Sequence, residues 1–410
     1  MNEKEMMDKT QPIETVQKNK GLSSFGKGLL CGTLSMFAVC VAILFFVGCS
    51  AKASAEDLVS AETIKKLEEI RGIIDSSYLY ISDIDEDALQ EAIIKGYVAG
   101  LNEPYTVYYN AEETAALFET TSGTFGGIGV GIMMDKTTGL ATFTTIYEGC
   151  PGEAAGFKTG DIVYKVNGED ISGMDLDTIV SKIRGEVGTT VEITVYRGEN
   201  YEEYTGKATR ALIENETVYS EMKEGKIGYI QLTAFEDVSY QQFKDALDEL
   251  TQQGMKGLII DLRNNTGGNL NTVCQIADLL LPQGTVVSIK DRNGNTQSYP
   301  SDEANKIDVP VVVLTNGYSA SASEILAGAI QDYKIGTLVG TTTYGKGIVQ
   351  NIEMLNDGTA LKYTSSEYFT PNGRNIHGTG IAPDVEIEYD SNLDYDNQLK
   401  KAIEVLNEKM

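Results

Sequence analysis

The residues best suited to chemistry in this 410-residue chain are three serines and one lysine. Ser319, Ser321 and Ser323 alternate with alanine, and Lys346, flanked by glycines, follows Ser321 by 25 positions. Serine nucleophiles usually transfer their proton to a histidine, but this chain has a single histidine. A lysine can take that role where burial lowers its pKa. The pattern therefore indicates a serine nucleophile with a lysine base.

Such a lysine needs a particular environment. A free lysine has a pKa near 10.4, and general-base catalysis at neutral pH requires a value about three units lower. The run from Gly347 to Met354 predicts a strand, so Lys346 and Gln350 can project from one face. We expect the neutral Gln350 to orient the amine without restoring its charge. The lone His377 has no carboxylate near it in sequence except Asp384, and we interpret it as structural.

A predicted strand and helix place the serines at a turn. Residues 311–314 have the apolar pattern of a buried strand, and residues 320–333 have that of a helix. A nucleophile at a helix N-terminus gains from the helix dipole and from free N–H groups. The alternative is that the serines only cap the helix, with Glu324 in its first turn, although capping needs only one serine.

The region around these residues alternates strands and helices, which favours an α/β fold with a mainly parallel sheet. Residues 261–268, Asp-Leu-Arg-Asn-Asn-Thr-Gly-Gly, end one buried strand. Their glycines could direct N–H groups toward an oxyanion, and an ordinary strand-to-helix turn is the alternative. The predicted strands are 227–232, 257–262 and 309–314, and the predicted helices are 240–253, 270–281 and 320–333.

Two further regions precede this one. Residues 55–119 have amphipathic helical patterns, interrupted at Pro104. Residues 123–198 are rich in glycine and β-forming residues, with one helix predicted from Asp175 to Arg184. The loop from Gly126 to Gly131 could present amides to a peptide carboxylate, or could be a glycine-bearing β-bulge. A last amphipathic helix is predicted over residues 392–409.

Composition excludes some classes of function. The net charge of -27 argues against nucleic acid as a partner. The chain has no Cys-x-x-Cys pair or Cys/His cluster, so we expect no structural zinc, and Cys150 and Cys274 are expected to be free thiols. Gly340 to Lys346 matches the start of a phosphate-binding GxxxxGK loop. The next residue, Gly347, and the following strand do not fit that motif.

The N-terminus carries an export signal. Residues 28–48 are apolar, span about 30 Å as a helix, and follow lysines, so the positive-inside rule places the remainder outside the cytoplasm. We expect a single-pass anchor at residues 28–49 after a disordered cytoplasmic tail at residues 1–27. Two alternatives remain, a lipoprotein modified at Cys49 and cleavage near Ala51-Lys52-Ala53.

Four motifs together resemble the carboxyl-terminal processing peptidases, also called tail-specific proteases. They are Phe-Gly-Gly-Ile-Gly at 125–129, the 261–268 segment with Thr266 where proline is common, Ser-Ala-Ser-Ala-Ser-Glu at 319–324, and Tyr-Gly-Lys-Gly-Ile-Val-Gln at 344–350. Their order and spacing match the family from about Ala55 onward.

The resemblance implies a fold. It is a crotonase/ClpP-like α/β protease core with a β-rich PDZ domain, helical N- and C-terminal segments and one N-terminal transmembrane helix. The implied boundaries are a helical region at 55–120, a PDZ domain at 121–200, a protease domain at 210–390 and a C-terminal helix at 391–410.

The resemblance also implies roles. Ser321 is the nucleophile, Lys346 the base and Gln350 its orienting partner, with no metal, nucleotide or other cofactor. The oxyanion hole consists of backbone N–H groups of Ala322 and of Gly267 or Gly268. The remaining implied residues are Gly127, Ile128, Gly129 and Val130 as PDZ contacts to substrate and Arg184 as a link between PDZ and active site.

The implied enzyme is a membrane-anchored serine endopeptidase that binds unstructured protein C-termini and cleaves near them. Terminal helices imply a homodimer. The competing interpretation is a non-catalytic PDZ adaptor on the same fold, which the intact Ser, Lys and Gln set disfavours.

Overall fold

A computed structural model describes residues 60–135 and 138–410, which divide into two compact units. The predicted tail and anchor at residues 1–49 lie outside the described residues. The first unit, residues up to Glu86, contains helix α1 (Ala61–Ser77) and a 3₁₀ turn (Ile81–Asp83). Ser60 caps α1 by accepting a hydrogen bond from Thr63 N at 3.1 Å. No helix in the described part of the chain is long and apolar enough to cross a bilayer.

Helices continue as predicted, but a strand interrupts them. Helices α2 (Glu86–Ala99) and α3 (Ala111–Ser122) flank strand β1 (Val107–Tyr109). Strand β1 was not predicted, because its three residues carry no periodicity and its partner strand is more than 250 positions away. It pairs antiparallel with β18 (Ala360–Phe369), with Val107 opposite Lys362. The prediction of a helical N-terminal region is therefore correct only in part, because this segment also contributes an edge strand to a sheet of the α/β core.

The β-rich module is a separate sheet with its own core. Its strand order is β3-β4-β5-β7-β8, and the short β6 pairs with β5. Apolar residues such as Phe143, Ile193 and Val195 are fully buried between this sheet and helix α5. The elements are β3 (Val130–Met134), β4 (Ala141–Ile146), α4 (Pro151–Ala154), β5 (Ile162–Val166), β6 (Glu169–Asp170), α5 (Leu176–Ile183), β7 (Thr190–Arg197) and β8 (Glu202–Thr209).

Two short strands join this module to the rest. β2 (Thr124–Gly127) pairs antiparallel with β9 (Ala211–Glu214), so the chain enters and leaves the module side by side. The Arg210 guanidinium donates to the carbonyls of Ile183 and Lys182, which fixes the end of α5 against this pair of strands. The module is therefore attached by a two-stranded stem.

The α/β core is built on a six-stranded sheet of order β10-β11-β12-β15-β16-β19, in which β19 is Val385–Glu386. Strands β11, β12, β15 and β16 are parallel, as the alternation of strands and helices predicted. Every residue of β12 and β15 is buried because helices cover both faces. The elements are β10 (Val218–Lys223), β11 (Ile227–Leu232), α6 (Ser239–Gln252), β12 (Gly257–Asp261), α7 (Leu270–Asp278), β13 (Gly284–Asp291), β14 (Thr296–Ser301), β15 (Val311–Thr315), α8 (Ala322–Tyr333) and β16 (Gly336–Gly340).

A second sheet and a final helix complete the core. The second sheet, of order β1-β18-β13-β14 with β17 paired to β18, supplies one wall of the site described below. The final helix packs Ala402, Val405 and Leu406 onto one face of the six-stranded sheet. Arg263, which follows β12, holds this helix through ion pairs to Asp261 at 2.5 Å and Asp396 at 2.8 Å. These last elements are β17 (Ile348–Met354), β18 (Ala360–Phe369), β19 (Val385–Glu386) and α9 (Asn397–Asn407).

Candidate active site

The structure distinguishes the three serines that looked equivalent in sequence. Ser319 and Ser323 are completely buried, and their hydroxyls donate to the carbonyls of Leu262 (2.8 Å) and Asn265 (2.9 Å). Ser321 is only partly buried and lines a cavity. Two serines therefore hold the loop in shape, and Ser321 presents its hydroxyl to the cavity.

Ser321 has a backbone conformation that few side chains adopt. Its φ is 55° and its ψ is -115°, immediately before the first residue of α8. A non-glycine residue in this region costs of order 1–3 kcal/mol, and such strain occurs at functional sites. In the first turn of α8, Ser323 N donates to Ala320 O at 3.1 Å and Glu324 N donates to Ser321 O at 2.8 Å. Among the described residues Ala322 N has no acceptor, so it is available to an anion beside Ser321.

The glycines of the 261–268 segment lie directly against this turn. A Cβ at Gly267 would lie 2.8 Å from Ser321 Cβ and 2.9 Å from Ala322 N. Gly267 N already donates to Asn265 Oδ1 at 2.8 Å. Of the two glycines proposed for an oxyanion hole, the geometry therefore favours Gly268, which lines the same cavity as Ser321 and Ala322.

Asn265 joins the two loops, and the sequence analysis did not single it out. It is fully buried, its Nδ2 donates to Leu232 O at 2.7 Å, and its carbonyl accepts from Ala320 N and Ser323 Oγ. A polar residue at the end of an otherwise buried strand was the available signal.

Gly267→Ala is expected to damage both stability and catalysis. The φ of Gly267 is +107°, and the added Cβ would collide with the Ser321 turn. We expect the free energy of unfolding to fall by roughly 2–4 kcal/mol and kcat by about 100-fold. Gly294→Ala is the matched control, because Gly294 has φ +85° with no atom near its Cβ position. It should cost only the strain of its backbone and leave kcat unchanged. Equal effects on kcat in the two variants would contradict this account.

Glu324 is a buried carboxylate that the sequence analysis considered only as a helix-capping residue. It is 0% exposed, and each of its oxygens accepts two hydrogen bonds. Oε2 accepts from Ser321 N at 2.9 Å and Lys346 N at 2.8 Å. Oε1 accepts from Thr343 Oγ1 at 2.6 Å and Gly345 N at 2.7 Å. One side chain therefore fixes the backbones of the candidate nucleophile and base relative to each other.

The environment of Lys346 favours the neutral amine, which is the form that can act as a base. Burial, together with the positive charge of Lys362, lowers the pKa of Lys346, while the carboxylates of Glu103 and Glu324 oppose that shift. The net result is a pKa below the ordinary lysine value. The ammonium lies 4.4 Å from the ring centroid of Tyr105, which was not identified from sequence.

Gln350 lines the cavity, but its hydrogen bond goes elsewhere. Its Nε2 donates to Thr364 Oγ1 at 3.3 Å, and Thr364 Oγ1 donates to Glu103 Oε2 at 2.9 Å. Burial opposes the charge on Glu103, but hydrogen bonds from Thr106, Tyr105 N and Thr364 hold its pKa below the usual value. The structure thus links Gln350 to the segment before β1, and Gln350 reaches Lys346 only through their shared cavity.

The cavity has a volume of about 290 Å³ and brings the predicted catalytic residues together. Its polar lining includes the proposed nucleophile, base and amide, one extra lysine and a loop glycine. The residues are Ser321, Lys346, Gln350, Lys362 and Gly268, with apolar walls at Leu117, Leu270, Ile325, Ile348 and Ile352. Apolar walls with a few convergent polar groups are the usual form of a ligand-binding site.

The glycine loop of the β-rich module has a fixed curve. Gly129 has φ +66°, and a Cβ there would lie 2.2 Å from Cys150 Cβ, so only glycine fits. The carbonyls of Ile128 and Gly129 accept from Gly152 N and Tyr147 N. Gly127 ends β2 and Val130 begins β3. The four predicted contact residues therefore form one loop.

Arg184 lies at the end of α5, away from the cavity lining. Its guanidinium stacks 3.8 Å from the ring centroid of Phe125 on β2 and lies 4.0 Å from Glu119 on α3. The residue contacts the stem between the two parts, which is where a link between them would have to pass.

The remaining titratable candidates take no part in the site. His377 is exposed and does not line the cavity. Burial raises the pKa of Cys274 to about 12, which makes its thiol unreactive at neutral pH. Both described cysteines, Cys150 and Cys274, are free, as predicted.

Comparison with known proteins identifies the family. Residues 226–387 match Peptidase family S41, residues 142–197 match the PDZ domain, and residues 47–114 match the Activating protease CtpB N-terminal domain. The probable CtpA-like serine protease of Staphylococcus aureus (strain COL) is 35% identical over 363 residues, covering 88% of this chain and 72% of the relative.

Two further proteins are similar to this chain. The carboxy-terminal processing protease CtpA of Bacillus subtilis (strain 168) is 36% identical over 311 residues, covering 75% of this chain and 66% of the relative. A solved structure of a photosystem II D1 C-terminal processing protease is 30% identical, with a TM-score of 0.47, and the match covers 85% and 98% of the two chains. This chain belongs to the carboxyl-terminal processing peptidases of family S41 and is a serine-type peptidase with a PDZ domain.

Proposed function

We propose that the enzyme is a membrane-anchored endopeptidase that uses a Ser–Lys mechanism on unstructured protein C-termini. The observation that carries the mechanism is the shared cavity, in which Ser321 sits at a helix N-terminus and Lys346 has a lowered pKa. Neutral Lys346 accepts the proton of Ser321 as its Oγ attacks the scissile carbonyl. The resulting ammonium donates that proton to the leaving amine, and water then hydrolyses the acyl-enzyme.

The oxyanion of the tetrahedral intermediate is stabilised by backbone N–H groups. We assign this role to Ala322 N, the first N–H of α8, and to Gly268 N. Gln350 orients Lys346 in the working state through its Oε1, because only its Nε2 is bonded to Thr364. These steps need only the groups supplied by Lys346, Ser321 and backbone amides. We therefore expect activity to survive chelation of metal ions.

The PDZ domain would hold the substrate's terminal carboxylate at residues 127–130. The support is the fixed curvature of this loop beside β3, to which a peptide can add as a strand. Arg184, stacked on the stem residue Phe125, is the candidate connection between an occupied PDZ domain and the protease core.

Substrate recognition can be tested with one pair of glycine variants. Gly129→Ala should disturb the loop through Cys150, whereas Gly139→Ala introduces a similar φ strain (+68°) where no atom lies within 4 Å. We expect amidation of the substrate C-terminus to raise KM about tenfold for wild type and Gly139→Ala. Gly129→Ala should show the raised KM with the free substrate as well as with the amidated one. Indifference of the wild-type KM to amidation would remove the proposed role of the PDZ domain.

Membrane attachment is proposed from residues 28–49, with the catalytic part outside the cytoplasm. The apolar length and the preceding lysines support it. Mass spectrometry of the mature N-terminus distinguishes an intact anchor from lipidation at Cys49 and from cleavage near Ala53. A mature chain that begins after Ala53 would overturn the anchor.

We also propose a homodimer formed through terminal helices. Helix α1 has no buried residue and exposes large apolar side chains at helical spacing, namely Ile64, Leu67, Ile70 and Ile73. Such a face is unusual for a helix in water and indicates a partner surface. In sedimentation experiments the wild type should be a dimer and Ile70→Glu a monomer. A monomeric wild type would contradict the proposal.

A further inference from the structure

Lys362 is a second lysine in the catalytic cavity, and the mechanism above does not use it. It lies on β18 opposite Ile352 of β17, next to the Gln350–Thr364 pair in the same ladder. Side chains directly opposite across two strands point to the same side, so Lys362, Ile352, Gln350 and Thr364 share the cavity face. Lys362 therefore lies one strand repeat, about 7 Å, beyond the position of Gln350.

Among the described residues, Lys362 has no ion-pair partner. Its ammonium lies 5.2 Å from the centroid of the Tyr109 ring. The carboxylate on the adjacent segment, Glu103, already accepts hydrogen bonds from Thr106, Tyr105 N and Thr364. A cation in a narrow cleft of a chain with net charge -27 is thus left without a counter-ion.

We propose that Lys362 binds a carboxylate of the substrate within the catalytic cleft. The ligand is either the terminal carboxylate of a short tail or an Asp or Glu side chain. The strand repeat and the reach of a lysine side chain place it within about four residues of the scissile bond. The inference rests on the proposed function, because it assumes that the peptide lies in this cleft.

The same placement has an electrostatic consequence at Lys346. Lys362 lowers the pKa of Lys346, whereas Glu103 and Glu324, the carboxylates that act on it, raise that pKa. A bound carboxylate would offset the charge of Lys362 and would therefore raise the pKa of Lys346. This change in the base has to be distinguished from the effect of the carboxylate on binding. The assays are therefore run at a pH above the acidic limb of kcat/KM, where Lys346 is neutral. For each enzyme, kcat/KM for the charged peptide is divided by kcat/KM for the neutral peptide.

The test compares Lys362→Met with Lys362→Arg and a matched surface control. Lys290→Met is the control, because Lys290 lies exposed on β13 of the same sheet and does not line the cavity. One peptide series scans Asp against Asn through the four positions on each side of the scissile bond, with an amidated C-terminus. A second series varies the length of the tail with a free or amidated C-terminus.

In wild type, Lys362→Arg and Lys290→Met, we expect one carboxylate position to raise kcat/KM about tenfold, mainly through KM. Lys362→Met should lose this preference, so that its kcat/KM no longer differs between the charged and the neutral peptide of each pair. Loss in the Asp series identifies a side-chain carboxylate, and loss only in the tail series identifies the terminus. A preference that persists in Lys362→Met, or none in wild type, overturns the inference. Undiminished cleavage by Ser321→Ala would instead overturn the proposed function.

Discussion

Ser321→Ala is expected to abolish cleavage of an unfolded protein substrate, with kcat falling by at least about 10⁴-fold. The reason is chemical, since Ser321 is the only one of the three clustered serines whose hydroxyl is not committed to a backbone carbonyl in the loop. The folded state should be retained, because alanine differs from serine by one oxygen at a position that lines a cavity. Turnover by mass spectrometry and thermal unfolding measure the two effects.

The neighbouring serines provide the control. Ser319→Ala and Ser323→Ala each remove a buried hydrogen bond and should lower the free energy of unfolding by about 1–3 kcal/mol. The folded molecules of both variants still contain Ser321, so they should remain active. Ser321→Gly should be more stable than Ser321→Ala by roughly 1 kcal/mol, because glycine relieves the strain at φ 55°. An active Ser321→Ala enzyme, or an inactive but folded Ser323→Ala enzyme with a normal Ser321 turn, would show that the wrong serine has been assigned.

Glu324→Gln is expected to have the second largest effect, on stability and catalysis together. A glutamine oxygen can replace only one carboxylate oxygen, so its amide group would face two donors, either Ser321 N and Lys346 N or Thr343 Oγ1 and Gly345 N. We expect the free energy of unfolding to fall by roughly 2–4 kcal/mol and kcat by about 100-fold. Glu353→Gln, on the exposed side of β17, is the matched control and should change neither.

A pH profile separates positioning from simple loss of folding. Glu324 raises the pKa of Lys346, so removing its charge should move the acidic limb of kcat/KM to lower pH. Lys362 acts in the opposite direction, and Lys362→Met should move the same limb to higher pH. A destabilised enzyme with an unshifted limb would mean that Glu324 serves the fold alone.

The sequence predicted most elements that carry a strong period. Helix α5 and strand β11 have the predicted bounds to within one residue, because their apolar residues recur at 3.6 or 2 positions. The candidate nucleophile, base and amide were also found, and the structure brings all three to one cavity. These features are local, or lie in motifs whose chemistry can be read from residue type.

Non-local features could not be predicted in the same way. The pairing of β1 with β18, the ring of Tyr105 over Lys346 and the bond from Thr364 to Glu103 join segments about 240 to 260 positions apart. The four hydrogen bonds to Glu324 were equally hidden, because a glutamate at the start of a helix has an ordinary capping role. Only the folded chain shows that this carboxylate is buried.

The central claim is that Lys346, and no histidine, is the base. The most direct measurement is kcat/KM as a function of pH for the wild type, Lys346→Arg and His377→Ala. Arginine keeps the charge but cannot give up its proton, so Lys346→Arg should show no turnover at any pH. His377→Ala should follow the wild type, with activity rising through one apparent pKa below the ordinary lysine value, since only the neutral amine can accept a proton. Near-normal turnover by Lys346→Arg, or an acidic limb that disappears in His377→Ala, would contradict the account.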